Sequence, residues 1–282
     1  MLTPRNASND QIRLREIRGA LAQSDRQRAV LLACRALDEG LDDPLLYYLR
    51  AKARLAQNRR EDAARDLVRA GAGASADVRL RFACGAELVA LQQFADAITV
   101  LEQAVRLDPA HAPGHFSLGW AYDATGESLH ASGCYKKTVE LDPRHAAAWG
   151  RLSCLALQLG DIALARDYAD RSLAIDGNEY EALCAKVKIA LAMNHFDRAE
   201  QFLERLLRLP TIAPDDRASV MGMLGDLRHA QKRFAEAFKA YGAANAEKRK
   251  YFGPQFERRT GQRFSDYVHW LATRFEAGAP ST

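Results

Sequence analysis

His111 and His115 are four residues apart, a spacing that can place two metal ligands on one face of a helix. Pro113 lies between them where a helix is expected to begin, so the spacing does not guarantee a shared face. Solvent-exposed histidines are the favoured interpretation, and we expect no metal site. Gly71 and Gly73 have the spacing of part of a dinucleotide-binding loop, but no strand is predicted before them. We therefore expect no cofactor.

Paired carboxylates occur at Asp42–Asp43 and at Asp215–Asp216. Each pair precedes or opens a predicted helix, where acidic side chains cap free backbone N–H groups and interact favourably with the helix dipole. The sequence contains neither the G-x-x-x-x-G-K-S/T phosphate-binding motif nor the H-E-x-x-H zinc motif. No Ser/His/Asp set is indicated by spacing. We therefore expect no catalytic residues and no enzymatic activity in this chain.

The cysteine pattern indicates reduced, buried thiols rather than disulfides or a zinc site. The five cysteines are odd in number and include no C-x-x-C pair: Cys34, Cys84, Cys134, Cys154 and Cys184. The stretch from Met1 to Asp10 is polar and lacks the apolar segment of a signal peptide. No run of about 18 apolar residues could span a membrane. We expect a cytoplasmic protein without membrane contact.

Alanine recurs with a period of 34 residues, and the rest of the chain follows this period. Six alanines keep it and a seventh follows after 38 residues: Ala29, Ala63, Ala97, Ala131, Ala165, Ala199 and Ala237. We call these the register alanines. A fixed period of this length is typical of stacked helix pairs. Counting from nineteen residues before each alanine, we expect repeats that start near residues 10, 44, 78, 112, 146, 180 and 218.

The fourth repeat shows how each unit divides into two helices. We expect a first helix over about 113–125, a break at Gly126, and a second helix over about 128–141 that Pro143 ends. Position 8 of the repeat is mostly small: Ala51, Gly85, Gly119, Ser153 and Gly225. Position 24 is mostly large: Leu67, Leu101, Tyr135, Leu203 and Tyr241. We expect the small position to face the register alanine and the large one to pack between units.

Several of these residues together form a recognisable pattern: Leu118, Gly119, Tyr122, Gly126, Ala131, Tyr135 and Pro143. The pattern resembles the tetratricopeptide repeat (TPR), a helix–turn–helix unit of 34 residues. The resemblance covers about Asp10 to Arg249 and implies an all-α, right-handed TPR superhelix (an α-solenoid) of about seven repeats. Arg50 and Arg54 depart from it, because they occupy usually apolar positions. Four additional residues around Pro210–Pro214 indicate a loop before the seventh repeat.

The end of the chain differs in composition from the repeats. Pro254 opens an amphipathic stretch in which five apolar residues share one helical face: Phe264, Tyr267, Val268, Leu271 and Phe275. We predict a C-terminal capping helix, because an end repeat has only one neighbour. A docking helix for a further domain is the alternative. The predicted organisation is a polar tail over 1–9, a solenoid over 10–251, and the capping helix with its tail over 252–282.

Residues 234–245 (FAEAFKAYGAAN), followed by Lys248 and Arg249, carry a second resemblance. They look like the junction between the last repeat and the catalytic domain of bacterial TPR–sulfotransferase proteins. The phosphosulfate-binding loop that follows in that family is absent from this sequence, so no catalytic residue can be carried over. The resemblance implies an alternative function, the substrate-recruiting N-terminal module of a bacterial sulfotransferase whose catalytic domain lies beyond this chain.

In a TPR superhelix the first helices line a concave groove, with positions 2, 5, 9 and 12 directed into it. The resemblance thus implies these candidate groove residues: Tyr48, Lys52, Arg79, Phe82, Phe116, Trp120, Asp123 and Lys188. Aromatic side chains beside charged ones suit an extended peptide. The alternative for Phe82, Phe116 and Trp120 is packing against neighbouring helices.

The predicted function is a non-catalytic protein–protein interaction scaffold that binds a peptide or partner segment in the concave groove. The expected partners are proteins or peptides. The net charge of +4 is too small to indicate nucleic-acid binding by itself. Self-association through the solenoid ends is a further hypothesis.

Overall fold

The computed structural model describes residues 7–74, 77–210 and 213–250. These residues form helices and short connections, without a strand among them. The helices are α1 (Ala7–Ala22), α2 (Arg26–Asp38), α3 (Pro44–Ala56), α4 (Arg60–Gly73), α5 (Val78–Ala90), α6 (Phe94–Leu107), α7 (Ala112–Ala124), α8 (Ser128–Leu141), α9 (Ala146–Gln158), α10 (Ile162–Ile175), α11 (Tyr180–Ala192), α12 (Phe196–Leu207), α13 (Pro214–Ala230) and α14 (residues 234–250). The predicted all-α fold is confirmed.

The helices form seven consecutive pairs, and every pair turns at the same place. The residue five before each register alanine has a positive φ, between 58° and 84°: Ser24, Asn58, Gln92, Gly126, Gly160, Asn194 and Lys232. This left-handed conformation is costly for residues other than glycine, so its recurrence reflects a turn geometry that all seven pairs share. The predicted array of seven helix–turn–helix repeats is confirmed.

Two boundaries differ from the predicted ones. The first helix of the seventh repeat begins at Pro214, four residues before the predicted start at 218. The four additional residues therefore lengthen α13 at its N-terminal end, where proline is well tolerated because its missing N–H would be unpaired there anyway. At the other end of the chain, α1 begins at Ala7, so residues 7–9 are helical rather than part of a polar tail.

The core of each repeat is built on the register alanines, which are all buried. The small residue at position 8 makes room for the large residue at position 24 of the same repeat. A Cβ on Gly119 would lie 2.8 Å from Cε1 of Tyr135. In the same way, the side chain of Leu101 fills the space beside Gly85. The predicted small–large packing is therefore present, but the large side chain fills the gap within its own helix pair.

The second repeat contains a buried ionic cluster where apolar residues were expected. Asp66 is almost completely buried and accepts two hydrogen bonds from Arg50, at 2.9 and 2.8 Å. Arg54 donates a third at 2.7 Å. The two arginines that depart from the repeat pattern thus share the carboxylate of Asp66 on α4. Their hydrogen bonds to this carboxylate compensate the cost of burying the charged groups.

The chain divides into two compact units, Met1–Ala148 and Trp149–Thr282. No helix of the described residues is long and apolar enough to cross a membrane. The predicted capping helix over 252–282 lies outside the described residues.

Candidate partner-binding surface

The first helices of the first unit are α1, α3, α5 and α7, and we call the side of these helices that carries the predicted groove residues the first-helix face. An ion pair joins neighbouring helices across it, because Nζ of Lys52 lies 2.5 Å from Oε1 of Glu87. Tyr48 is half-buried on α3 one turn before Lys52. Burial, and then the carboxylate of Glu87, raises the pKa of the Tyr48 hydroxyl, so this group stays protonated and able to donate a hydrogen bond.

An aromatic cluster lies beside α7 in the fourth repeat. The ring of Phe116 is 6.5 Å from that of Trp120 and 4.5 Å from that of His145. The fully buried ring of Tyr135 is 5.7 Å from Phe116 and supports it from the core. Trp120 is 42% exposed, an unusually high value for so large an apolar side chain. We call Phe116, Trp120 and His145 the aromatic platform.

Phe82 does not contribute to the exposed part of this face. Its side chain is buried, and its ring stacks on His111 at 3.9 Å with an interplanar angle of 18°. The ring fills the space beside Gly114, where a Cβ would collide with it. The structure therefore favours the alternative of helix packing for this residue.

The remaining predicted groove residues are spread over both units. Arg79 is exposed in the first turn of α5, and Asp123 is half-buried near the end of α7. Lys188 is exposed on α11, which belongs to the second unit. Seven of the eight predicted residues therefore lie in the first unit, and only six of those contribute side-chain surface that a partner could reach.

The first helices of the second unit carry a different set of contacts. Arg151 on α9 pairs with Glu181 on α11 at 3.0 Å, and Sγ of Cys154 lies 3.5 Å from the same carboxylate. Burial raises the pKa of the Cys154 thiol well above its ordinary value, and that of Cys184 to about 12. Both thiols are therefore protonated and unreactive at neutral pH.

The two histidines with metal-ligand spacing have structural roles. Nδ1 of His111 accepts a hydrogen bond from the backbone N–H of Gly114 at 2.9 Å, which caps α7. Nε2 of His115 is 2.9 Å from the carbonyl oxygen of Pro109. No group of three potential metal-ligating side chains occurs among the described residues.

Two residues beside the first-helix face are not predicted by the repeat positions. Glu87 occupies position 10, outside the positions expected to face the groove, yet it pairs with Lys52. His145 precedes α9 and belongs to no first helix, yet its ring completes the aromatic platform. His145 lies one full period after His111, whose ring contacts Phe82, and this spacing is a signal that the sequence does contain.

Comparison with known families supports the repeat assignment. The sequence profile of the tetratricopeptide repeat family matches residues 85–131, 126–180 and 184–249. The chain is also 25% identical to anaphase-promoting complex subunit 3 of Schizosaccharomyces pombe over 160 residues, which is 57% of this chain. The match spans only 24% of that larger protein.

Solved structures show the same fold. The APC/C hetero-tetramer Cut9-Hcn1 aligns over 79% of this chain and 43% of its own, with a TM-score of 0.59 and 17% identity. YrrB, described as a TPR protein with an unusual peptide-binding site, aligns over 60% of this chain and 88% of its own, with a TM-score of 0.53 and 21% identity.

Proposed function

We propose, from the premise that the chain belongs to the tetratricopeptide repeat family, that it is a non-catalytic scaffold whose first-helix face binds an extended segment of a partner protein. Two of the similar proteins are described by such interactions: anaphase-promoting complex subunit 3 is a subunit of a complex, and YrrB has a peptide-binding site. The proposal for this chain depends on the surface of its own first unit.

The exposed indole of Trp120 carries the proposal. A tryptophan that is 42% exposed offers a large apolar area to a partner, and its neighbour Phe116 extends this area. Because tryptophan is enriched among residues that dominate binding energy, the aromatic platform is suited to anchor one apolar side chain of the partner.

The charged residues next to the platform suit the backbone and polar side chains of the same segment. Lys52 and Glu87 neutralise each other, yet the Lys52 side chain remains 45% exposed and can donate to a further acceptor. Arg79 lies exposed on α5, between the helices that carry Lys52 and Trp120. An extended segment that crosses α3, α5 and α7 would therefore contact Lys52 and Arg79 at one end and Trp120 at the other. This order of cations and apolar anchor would fix the orientation of the segment.

The test is a selection of binding peptides from a random library displayed on phage, followed by affinity measurements on the selected peptides. We expect Trp120→Ala to weaken binding by at least ten-fold, because a central tryptophan typically contributes 2 kcal/mol or more, about 30-fold in affinity. Lys52→Ala should weaken binding less and mainly reduce its salt dependence.

Leu129→Ala is the matched control, because this residue lies in the second helix of the same repeat and is 82% exposed. It should leave the affinity unchanged. All three variants should melt within a few degrees of the parent protein, since all three side chains lie at the surface. Unchanged affinity in Trp120→Ala, or loss of binding in Leu129→Ala, would contradict the assignment of the face.

The alternative, a substrate-recruiting module of a sulfotransferase, stays a prediction from the resemblance of residues 234–245. Its test is the coding sequence downstream of Thr282. A phosphosulfate-binding loop there would support it, and a stop codon would exclude it for this protein.

A further inference from the structure

A cavity of about 360 Å³ in the second unit is lined by side chains of α10, α11 and the start of α12. Each of these helices contributes one cation to the lining: Arg166, Lys186 and Arg198. Among the described residues that line it, Asp170 supplies the one carboxylate, and His195 adds an imidazole ring. The lining therefore carries an excess of positive charge, and we call this space the basic cavity.

Lys186 is unusual for its position in the repeat. It stands at position 7, where the fourth and fifth repeats have Leu118 and Leu152. Its side chain is only 13% exposed, and Nζ lies 2.5 Å from Oδ1 of Asp170, whose own side chain is 60% exposed. Burying an ammonium group is costly unless its three N–H donors are satisfied. Asp170 satisfies one donor, and the oxygens of a bound anion would satisfy the others.

The corresponding groove of the fourth repeat shows what differs in the sixth. There, Glu102 stands at the place of Asp170 and accepts a hydrogen bond at 2.5 Å from the hydroxyl of Tyr122. The residue two periods after Tyr122 is Ala190, which has no hydroxyl to donate, and Asp170 pairs with Lys186 instead. The sixth repeat thus has a methyl group in place of a large ring and a cation in place of a leucine. Both changes leave room and positive charge for an anion.

The two arginines of the basic cavity form no ion pair with another described residue. A guanidinium nitrogen of Arg166 lies 2.9 Å from Sδ of Met193, which is a weak acceptor. Arg198 is exposed in the first turn of α12. Asp197 shares this turn, but it is not among the residues that line the cavity. Both guanidinium groups are therefore available to a ligand with stronger acceptors.

We propose that the basic cavity binds the phosphoryl group of a small molecule. Phosphoryl oxygens are strong acceptors that guanidinium groups bind with paired hydrogen bonds, and a lysine adds a point charge. The volume of the cavity lies at the lower end of the range of small-molecule sites, about 300–1,000 Å³. The site belongs to the second unit and does not depend on the proposed function of the first-helix face.

The experiment is isothermal titration calorimetry of the full-length protein with sodium pyrophosphate at neutral pH, with sodium chloride of equal ionic strength as the reference. We expect saturable binding of pyrophosphate alone. Lys186→Met and Arg198→Gln should each weaken it by about ten-fold or more, because hydrogen bonds to charged groups have this magnitude. Lys186→Met should remain folded, since position 7 is apolar in neighbouring repeats. Arg208→Gln is the matched control: it removes the same charge from α12, its side chain is 78% exposed, and it does not line the cavity.

Asp170→Asn separates a ligand site from a purely structural ion pair. Removing the carboxylate takes a like charge away from the bound anion, so pyrophosphate should bind about three-fold or more tightly. Weaker or unchanged binding in this variant would overturn the proposal, as would equal losses in Arg198→Gln and Arg208→Gln. Absence of pyrophosphate binding beyond the chloride reference would overturn it as well. A short phosphoserine peptide that bound ten-fold more tightly than pyrophosphate would show that the phosphoryl group comes from a partner protein, and would overturn the assignment to a small molecule.

Discussion

Gly119 provides a sharp test of how the repeats are packed. It lies on α7 at position 8, and Tyr135 on α8 of the same repeat fills the space beside it. An added Cβ would lie 2.8 Å from Cε1 and 2.9 Å from Cδ1 of that ring. Carbon atoms in contact normally stay about 3.5–4 Å apart, so the ring or the helix would have to move. Tyr135 is fully buried, which leaves the ring little room to do so.

The expected magnitude results from two opposing effects. Overpacking a tight core costs about 1–3 kcal/mol. Replacing glycine by alanine within a helix contributes about 0.5–1 kcal/mol in the stabilising direction. Gly119→Ala should therefore lower the free energy of unfolding by about 0.5–2 kcal/mol. Gly133→Ala is the matched control, because Gly133 lies on α8 and an added Cβ there would meet no neighbouring atom within 4 Å. It should raise stability by about 0.5–1 kcal/mol.

The assay is urea denaturation of both variants, monitored by circular dichroism and by tryptophan fluorescence. Trp120, one of three tryptophans in the chain, is adjacent to Gly119 and contributes a signal from the fourth repeat. We expect the two alanine variants to differ from each other by about 1–3 kcal/mol, with similar dependence on urea. If Gly119→Ala were as stable as Gly133→Ala, the close approach of the two helices at position 8 would be refuted.

Three further predictions concern charge and backbone. Asp66→Ala should destabilise the protein by about 3–5 kcal/mol in urea denaturation, and replacing Asp66 and both arginine partners by leucine should recover most of this loss; equal instability of the single and triple variants would contradict it. Burial raises the pKa of the Glu179 carboxyl from 4.5 to about 7, so its ionisation opposes folding increasingly as pH rises through this window. Glu179→Gln should therefore raise the melting temperature at pH 8, where the gain is at most about 3 kcal/mol, but not at pH 4; equal effects at both pH values would refute this. Gln92→Gly should stabilise the protein by about 1 kcal/mol, because φ of Gln92 is 62° and glycine adopts this left-handed conformation without steric cost. Gln93→Gly should not stabilise it, because φ of Gln93 is −89°. Equal melting temperatures of these two variants would count against the prediction.

Much of the fold could be predicted because the repeat itself supplies the information. The register alanines give the period, and a glycine at residue 126 marks the turn of one repeat. The same turn at Asn58 or Lys232 could not be inferred from those residues alone, since their left-handed conformation is imposed by the helix pair around them. The proline-rich stretch before the seventh repeat predicted a loop, but Pro214 is equally suited to a first helical turn.

Contacts between residues that are distant in sequence were much harder to predict. Arg50 and Arg54 stood out as departures from the pattern, but nothing in the pattern indicated that Asp66 would pair with both. Likewise, Lys52 was predicted to face a partner, whereas its ion pair with Glu87 requires the relative placement of α3 and α5. Periodicity predicts which side of a helix a residue occupies, and the partner on the next helix depends on the packing.

The two phenylalanines at position 5 show what decides between core and surface on the first-helix face. Phe82 and Phe116 are one period apart, and each contacts a histidine from the start of the following repeat, His111 or His145. Phe82 enters the space left by Gly114, and it is buried. The residue one period after Gly114 is Ala148, which has a Cβ where Gly114 has none, and Phe116 is half-buried and tilted by 37° against its histidine. We infer that this methyl group, 32 residues from Phe116 in the sequence, keeps the ring from entering the core as Phe82 does, so that Phe116 joins Trp120 in the aromatic platform.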